Sequence, residues 1–241
     1  MSVHQPNFLP WLRLLAKVAA SDVWVAYDSV QFTRSEFHAR QRIKARDGTT
    51  AWLTVPVVHT GRRQMLCDVA ICEEEDWRSA HLRTLRRHYR SAAHFAEVFA
   101  LIEDVYGRGH SRLVDLNIDL IRAMCEYLGA DVRIERATNL PHTGGRTERL
   151  VQLVSAAGGD SHLTSTVGTR HEYADWSLFR DAGISVFYQQ FEHPEYPQLH
   201  DGFIKDLSSV DLLFSRGRQA AGLLREAARF PAHDTGAASR A

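Results

Sequence analysis

Cysteine is scarce: Cys67, Cys72 and Cys125 are the only three in 241 residues. An odd number with no C-x-x-C spacing excludes a fully paired disulfide framework and the common zinc patterns. The three are read as buried small hydrophobes of a reduced, cytoplasmic protein. An excess of one charge is missing too: 29 Lys and Arg balance 29 Asp and Glu. That balance gives no support to a nucleic-acid surface or to an anionic membrane partner. No apolar run approaches the length of a membrane span. The start of the chain lacks a basic region followed by an apolar core, so it is not read as a secretory signal, and a site is expected there with no leader in front. There is no HExxH, no Walker loop and no GxSxG elbow, which excludes the recognisable zinc-protease, P-loop and hydrolase signatures. Neither a metal nor another cofactor is expected.

What remains is ordinary globular composition, 44% hydrophobic, in a length that suits one large α/β domain or one such domain with a helical insertion. Thirteen histidines would make the chain cationic in mild acid. Residues 2–5 read as a short strand. Pro10 suits the first turn of a helix whose apolar face is Leu12, Leu14, Leu15, Val18 and Ala19. Residues 22–28 (DVWVAYD) then read as a strand, giving the strand–helix–strand opening of a parallel sheet with a right-handed crossover. After a basic stretch at 33–48, residues 51–57 and 65–71 look like two strands, in a part that suits antiparallel pairing, with 60–63 as the loop between them. Three amphipathic helices follow, at 76–90, 95–106 and 113–128, with Gly129 as the C-cap of the last, and are expected to pack as a subdomain. Strands at 132–135, 161–164 and 184–191 then alternate with helices at 146–157 and 176–182. Two more helices, 207–214 and 218–230, lead to a small, polar tail from 231 that reads as disordered. The fold class expected is α/β: a mostly parallel sheet with flanking helices and a helical segment at about 75–128, as one domain over 1–230.

Several groups of residues have the types and spacing for chemistry. His4, Gln5 and Asn7 sit at the end of the first strand and Asp28 at the end of the second, where open α/β sheets bind ligands. A carboxylate beside an imidazole orients it and raises its basicity, which suits a general base; the alternative is that His4 and Gln5 only tie the two-proline turn. In an extended segment His38, Arg40, Arg42 and Lys44 project on one side, as phosphate or carboxylate recognition requires, with Phe32 and Phe37 as a wall; a charged edge strand has the same pattern. Trp77, His81, Leu85 and His88 form one helix stripe, followed by Tyr89. His81 and His88 are two turns, roughly 10 Å, apart, too far for one metal ion. The stretch Ser165-Thr166-Val167-Gly168-Thr169 follows a strand and allows a close backbone approach to an anion, as an ordinary turn also would. His193-Pro194, Tyr196-Pro197 and Gln198 repeat a histidine–glutamine pair in a rigid loop. Gly144-Gly145-Arg146, with Glu148 and Arg149, opens a helix whose free N–H groups suit an anion.

Together, His4-Gln5-Pro6-Asn7-Phe8-Leu9-Pro10-Trp11, Asp22-Val23, Asp28, Val30-Gln31-Phe32, Arg42-Ile43-Lys44 and Trp52-Leu53-Thr54-Val55-Pro56 resemble the WbqC-like family. Trp77 with His81, Tyr89, Leu116-Asn117, Glu148-Arg149-Leu150, His193-Pro194 with Tyr196 and Gln198, and Asp211-Leu212-Leu213-Phe214 extend the resemblance to Gly217. The resemblance implies a biosynthetic enzyme from a polysaccharide or natural-product pathway, a transferase passing an acyl or aminoacyl group to an amine. On that reading His4 is the general base, Asp28 orients it, and His193 or His81 makes the second proton transfer. Arg42 and Lys44 hold a phosphate or carboxylate, and Gln5, Asn7, Gln31, Tyr89, Ser165, Tyr196 and Gln198 complete the substrate contacts. The partners would be a small-molecule substrate and a carrier-protein or aminoacyl donor, with neither membrane nor nucleic acid expected. Neither a metal nor a covalent enzyme nucleophile is required. Two other readings stand beside it. One is a nucleotide-dependent ligase, similar by fold analogy alone, although His4 has no second histidine four residues on. The other is a non-catalytic binding or scaffold protein of a biosynthetic complex.

Overall fold

The computed structural model describes residues 1–34, 36–60, 63–165 and 175–232. A sheet of six strands is ordered β5-β2-β1-β6-β7-β8. Its strands are β1 (Ser2–His4), β2 (Val23–Ala26), β5 (Arg133–Arg136), β6 (Ser161–Ser165), β7 (Ser185–Phe191) and β8 (Ala228–Arg229). All neighbours are parallel except β8, which runs antiparallel to β7. The opening is β1, helix α1 (Leu12–Ala19), then β2, with Val3 opposite Val25. The chain builds outward from β1 through β2 to β5, then returns to the other side of β1 for β6 and β7. The strand order therefore reverses between β1 and β6, and the crevice beyond their C-terminal ends is the topological switch point of the sheet.

Alternation along the strands divides the core in two. Trp24 and Ala26 face the larger cluster with Leu14, Leu15 and Val18 of α1. Val3 and Val25 face the smaller one, with Leu153 and Val154 of α5 (Arg146–Ala156) and Phe179 of α6 (Trp176–Asp181). Helices thus cover both faces, as a parallel sheet requires. The three helices α2 (Trp77–Tyr89), α3 (Phe95–Gly107) and α4 (Leu113–Tyr127) share the larger cluster with α1 rather than building a core of their own. Asp76 caps α2 by accepting from the Ser79 N–H, and Gly129 closes α4 at φ +75°. Helix α7 (Ser209–Arg216) joins the same cluster, and α8 (Ala220–Ala227) stops short of the expected 230 because β8 takes over the chain. Beyond it the Pro231 carbonyl accepts from the Tyr188 N–H, while 233–241 lie outside the described residues.

One expected pairing is corrected. Segment 65–71 forms no strand, and 51–57 meets it antiparallel at the single bridge Val57–Ile71 rather than along a ladder. Instead β3 (Arg40–Lys44) folds back on β4 (Thr50–Thr54) as an antiparallel hairpin. Its turn contains Asp47-Gly48, with Gly48 at φ +80° and Asp47 accepting from the Thr49 N–H. Segment 65–71 instead carries a single 3₁₀ turn, Leu66–Asp68, and meets Gln31, Val57 and Arg112 only through isolated bridges. Of the expected 60–63 loop, Gly61 and Arg62 lie outside the described residues.

Candidate functional site

A pocket of about 470 Å³ opens at the switch point, lined by His4, Trp11, Arg13, Leu14, Phe37, Arg42, Ser165 and Asp206. His4 ends β1 and Ser165 ends β6, so the reversal of strand order places both there. Trp11 and Phe37 meet edge to face at 4.8 Å, and Phe37 stacks toward Trp52 at 6.4 Å, forming an aromatic wall. Arg13 and Arg42 supply two cations against the single carboxylate of Asp206. A second groove of about 430 Å³, between α1, the end of α4 and α8, is lined by alanines, Leu128, Leu224, Phe230 and Arg225, with no acid–base or nucleophilic group.

The turn at 5–11 is held from several directions. The Gln5 Oε1 accepts from the His38 Nε2–H at 2.8 Å. Asn117 Nδ2 of α4 donates to both Pro6 O at 2.9 Å and His38 O at 2.8 Å. The Phe8 N–H donates to Phe37 O, the Leu9 carbonyl accepts from the Ser208 hydroxyl, and the Pro10 carbonyl from the Ser209 N–H. These bonds hold Leu9 at φ +40°, a strained backbone for a branched residue in front of a proline.

His4 donates its Nδ1–H to the Gln5 carbonyl at 2.9 Å, which leaves Nε2 as the basic nitrogen. Burial, then the Lys17 and His38 charges, pull its pKa down to about 3 against the opposing Gln5 bond. The ring is therefore neutral at pH 7. The expected His4–Asp28 pair does not form. Asp28 is fully buried and turns to the other neighbour of β2, where Arg136 Nε of β5 donates at 2.7 Å and the Thr138 N–H and hydroxyl at 3.0 and 2.9 Å. A buried carboxylate goes to the nearest guanidinium, and the C-terminal end of β5 supplies one.

Other expected site residues are structural. His81 donates Nε2–H to Thr54 O at 3.0 Å and accepts from the Tyr106 hydroxyl at 3.2 Å, so both nitrogens are used. Its pKa falls to about 4 through burial. His193 is likewise spent, on Pro194 O and the Asp206 N–H, and it sits behind Asp206 rather than in the pocket wall. Lys44 is buried and gives its ammonium to the carbonyls of His200 and Gly202, so it holds no ligand anion. Tyr89 and Tyr196 donate to the two oxygens of buried Asp211 at 2.7 and 2.9 Å, and Gln198 binds both Ile204 and the Tyr196 hydroxyl. Gln31 is exposed and bridges to Met65; Asn7 is buried. Of the basic stretch only Arg42 reaches the pocket; it donates to Asp206 O at 3.4 Å, and Arg40 and Arg42 lie over Trp52. The start of α5 is filled from within, because Glu148 accepts from the Gly145 N–H. Residues 166–169 of the expected anion turn lie outside the described residues.

Sequence reasoning passed over Arg13 and Asp206 of the pocket wall and, behind it, Lys17. Lys17 is 2% exposed and donates to the Ser165 hydroxyl at 2.9 Å. Among the described residues no carboxylate lies within ion-pair distance of it. Burial, with help from Arg13, brings its pKa to about 7. The signal was present: Lys17 falls three residues after Leu14, on the apolar stripe of α1.

Fold and site together define an open α/β protein with a cationic, aromatic-walled pocket at its topological switch point. The chain belongs to the WbqC-like protein family, whose model matches residues 5–222. It is 32% identical over 227 residues to the uncharacterized protein Rv1507c of Mycobacterium tuberculosis, covering 93% of this chain and 97% of that one. No solved structure matches it. Among the described residues no helix is long and apolar enough to cross a membrane.

Proposed function

We propose that the chain is a biosynthetic enzyme that transfers an acyl or aminoacyl group to the amine of a small metabolite or sugar precursor, with His4 as general base. The observation that carries this reading is the state of His4: Nδ1–H is tied to Gln5, Nε2 holds the lone pair, and the ring lines the pocket. A neutral imidazole in that position can take the proton an attacking amine must lose. At a pKa of about 3 it is a weak base among the protein's own groups. The oxyanion that develops during acyl transfer would supply the negative charge its surroundings lack and raise its basicity. Arg13 and Arg42 are placed to hold an anionic group of donor or acceptor, and the Trp11–Phe37 wall to hold an apolar or planar one. The donor would arrive as a small thioester, on a carrier protein, or as an aminoacyl ester.

The test incubates the protein with amino-sugar acceptors and a panel of acyl thioesters, acylated carrier proteins and aminoacyl donors, and reads amide formation by mass spectrometry. His4→Gln is expected to lower the rate by about 10²- to 10⁴-fold at unchanged thermal stability. Wild-type rates in His4→Gln overturn His4 as base. Stabilisation by ATP alone would move the reading to a nucleotide-dependent ligase. Pathway output that survives His4→Gln, but not changes to the outer surface, would move it to a scaffold.

A further inference from the structure

Ser165 forms part of the pocket wall, and Lys17 lies directly behind it without itself lining the pocket. The arrangement is a hydroxyl facing a ligand space with a buried amine at 2.9 Å on its far side. A lysine kept only for structure is ordinarily paired with a carboxylate when buried, carries its ammonium out to water, or gives it to backbone carbonyls as Lys44 does. Lys17 does none of these. Among the described residues the titratable groups that face it are Arg13 on its own helix, His4 on β1, and His162 on β6, all of them cationic or basic. With Ser165 as its hydrogen-bond partner and a pKa of about 7, a large share of Lys17 is neutral amine at physiological pH. A neutral amine bonded to a serine hydroxyl is one of the known ways to activate that hydroxyl.

We propose that Ser165 and Lys17 form a serine–lysine nucleophile pair, and that the transferred group is carried for part of the reaction as an ester on Ser165 Oγ. The proposal rests on the acyl-transfer reading and replaces its direct route with a covalent one. In the first half, Ser165 Oγ bonds to the carbonyl carbon of the donor and its proton passes to the Lys17 amine. The bond from that carbon to the donor's thiolate or alkoxide breaks, and the departing group takes the proton from Lys17. In the second half the acceptor amine bonds to the same carbon, and the C–Oγ bond breaks. The amine's proton, collected by His4 Nε2 or Lys17, is returned to Ser165 Oγ. Serine and lysine end as they began, and one amide replaces one activated ester.

The probe is p-nitrophenyl acetate with the full chain, followed by peptide mass spectrometry and by nitrophenolate release. A burst equal to one acetyl group per chain is expected on the peptide that contains Ser165, and Ser165→Ala should abolish it. Lys17→Arg keeps a cation and a donor but has no accessible neutral form, so it should slow acetylation by about 10²- to 10⁴-fold. The wild-type rate should climb with pH through about 7, where Lys17 loses its proton. Acetylation elsewhere that persists in Ser165→Ala, or wild-type labelling by Lys17→Arg, overturns the pair. Should Lys17→Arg fail to fold, a wild-type labelling rate that is flat across this midpoint overturns it equally. Transfer that remains dependent on His4 in a Ser165→Ala protein would overturn the covalent route while leaving acyl transfer standing.

Discussion

Asp28 and Lys17 are buried charged groups with different neighbours: the first has a guanidinium at 2.7 Å, the second a hydroxyl at 2.9 Å. Asp28, at a strand end beside His4, has the chemistry of an orienting carboxylate, yet its oxygens go to Arg136 and Thr138 on the other side. Arg136 also binds Asp115 at 2.8 Å and remains about a third exposed. Its loss would leave Asp28 buried with two neutral donors. Arg136→Ala is therefore expected to lower stability by about 2–3 kcal/mol in urea unfolding. The pH dependence of transfer should not move, because no bond links this pair to His4. The histidines that were legible as polar groups in the sequence divide by a criterion the sequence does not contain. His81 and His193 have both ring nitrogens occupied, whereas His4 has one without a partner among the described residues. Lys17 lay on the apolar stripe of α1, and a lysine there still does not say which group it meets until β6 is placed beside it.

Elements with a clear period were legible. Helices α2, α3 and α4 and the parallel strands lie within a few residues of where their patterns put them, because apolar spacing and caps are local. The β3–β4 hairpin was missed because the charged residues of β3 mask its alternation: Gln41 and Ile43 are buried on one side, while Lys44 is drawn under the C-terminal loop. The turn at 5–11 also depends on distant elements. Asn117 spans from α4 to two carbonyls, Pro6 and His38, and is itself fully buried. Asn117→Leu would orphan both carbonyls, with an expected loss of about 1–3 kcal/mol by chemical denaturation. Because the same bonds position Gln5 and hence His4, ligand affinity at the pocket should weaken as well. A stability loss with unchanged affinity would show that the turn holds its shape without α4.

At the scale of the molecule, four of the described histidines have strongly depressed pKa values, half-buried His4 and buried His162 at about 3, buried His38 and His81 at about 4. Each refuses in the folded state a proton that the unfolded chain accepts below about 6.5. Stability should therefore fall as pH drops from about 6.5 toward 4, by up to about 1.4 kcal/mol per pH unit for each histidine. Asp211, raised by burial, works the other way over its own range. Lys17 adds a separate gain as pH rises from about 7 toward 10.5. His162 stacks on Phe179 at 5.3 Å, and its Nδ1 has no partner among the described residues. His162→Phe should flatten the acid slope by about one histidine's share in urea titrations at several pH values; an unchanged slope would show that His162 does not contribute. The central position of β1 has a consequence in time. Its neighbours are β2, nearby in sequence, and β6, about 160 residues later, while the turn after it is fastened by Ser208 and Ser209. The β1 segment is thus made well before its final partners and is among the last to find its place. Until the α7 segment has emerged, β1 and its turn lack their final partners, so the nascent chain must stay unaggregated through most of its own synthesis.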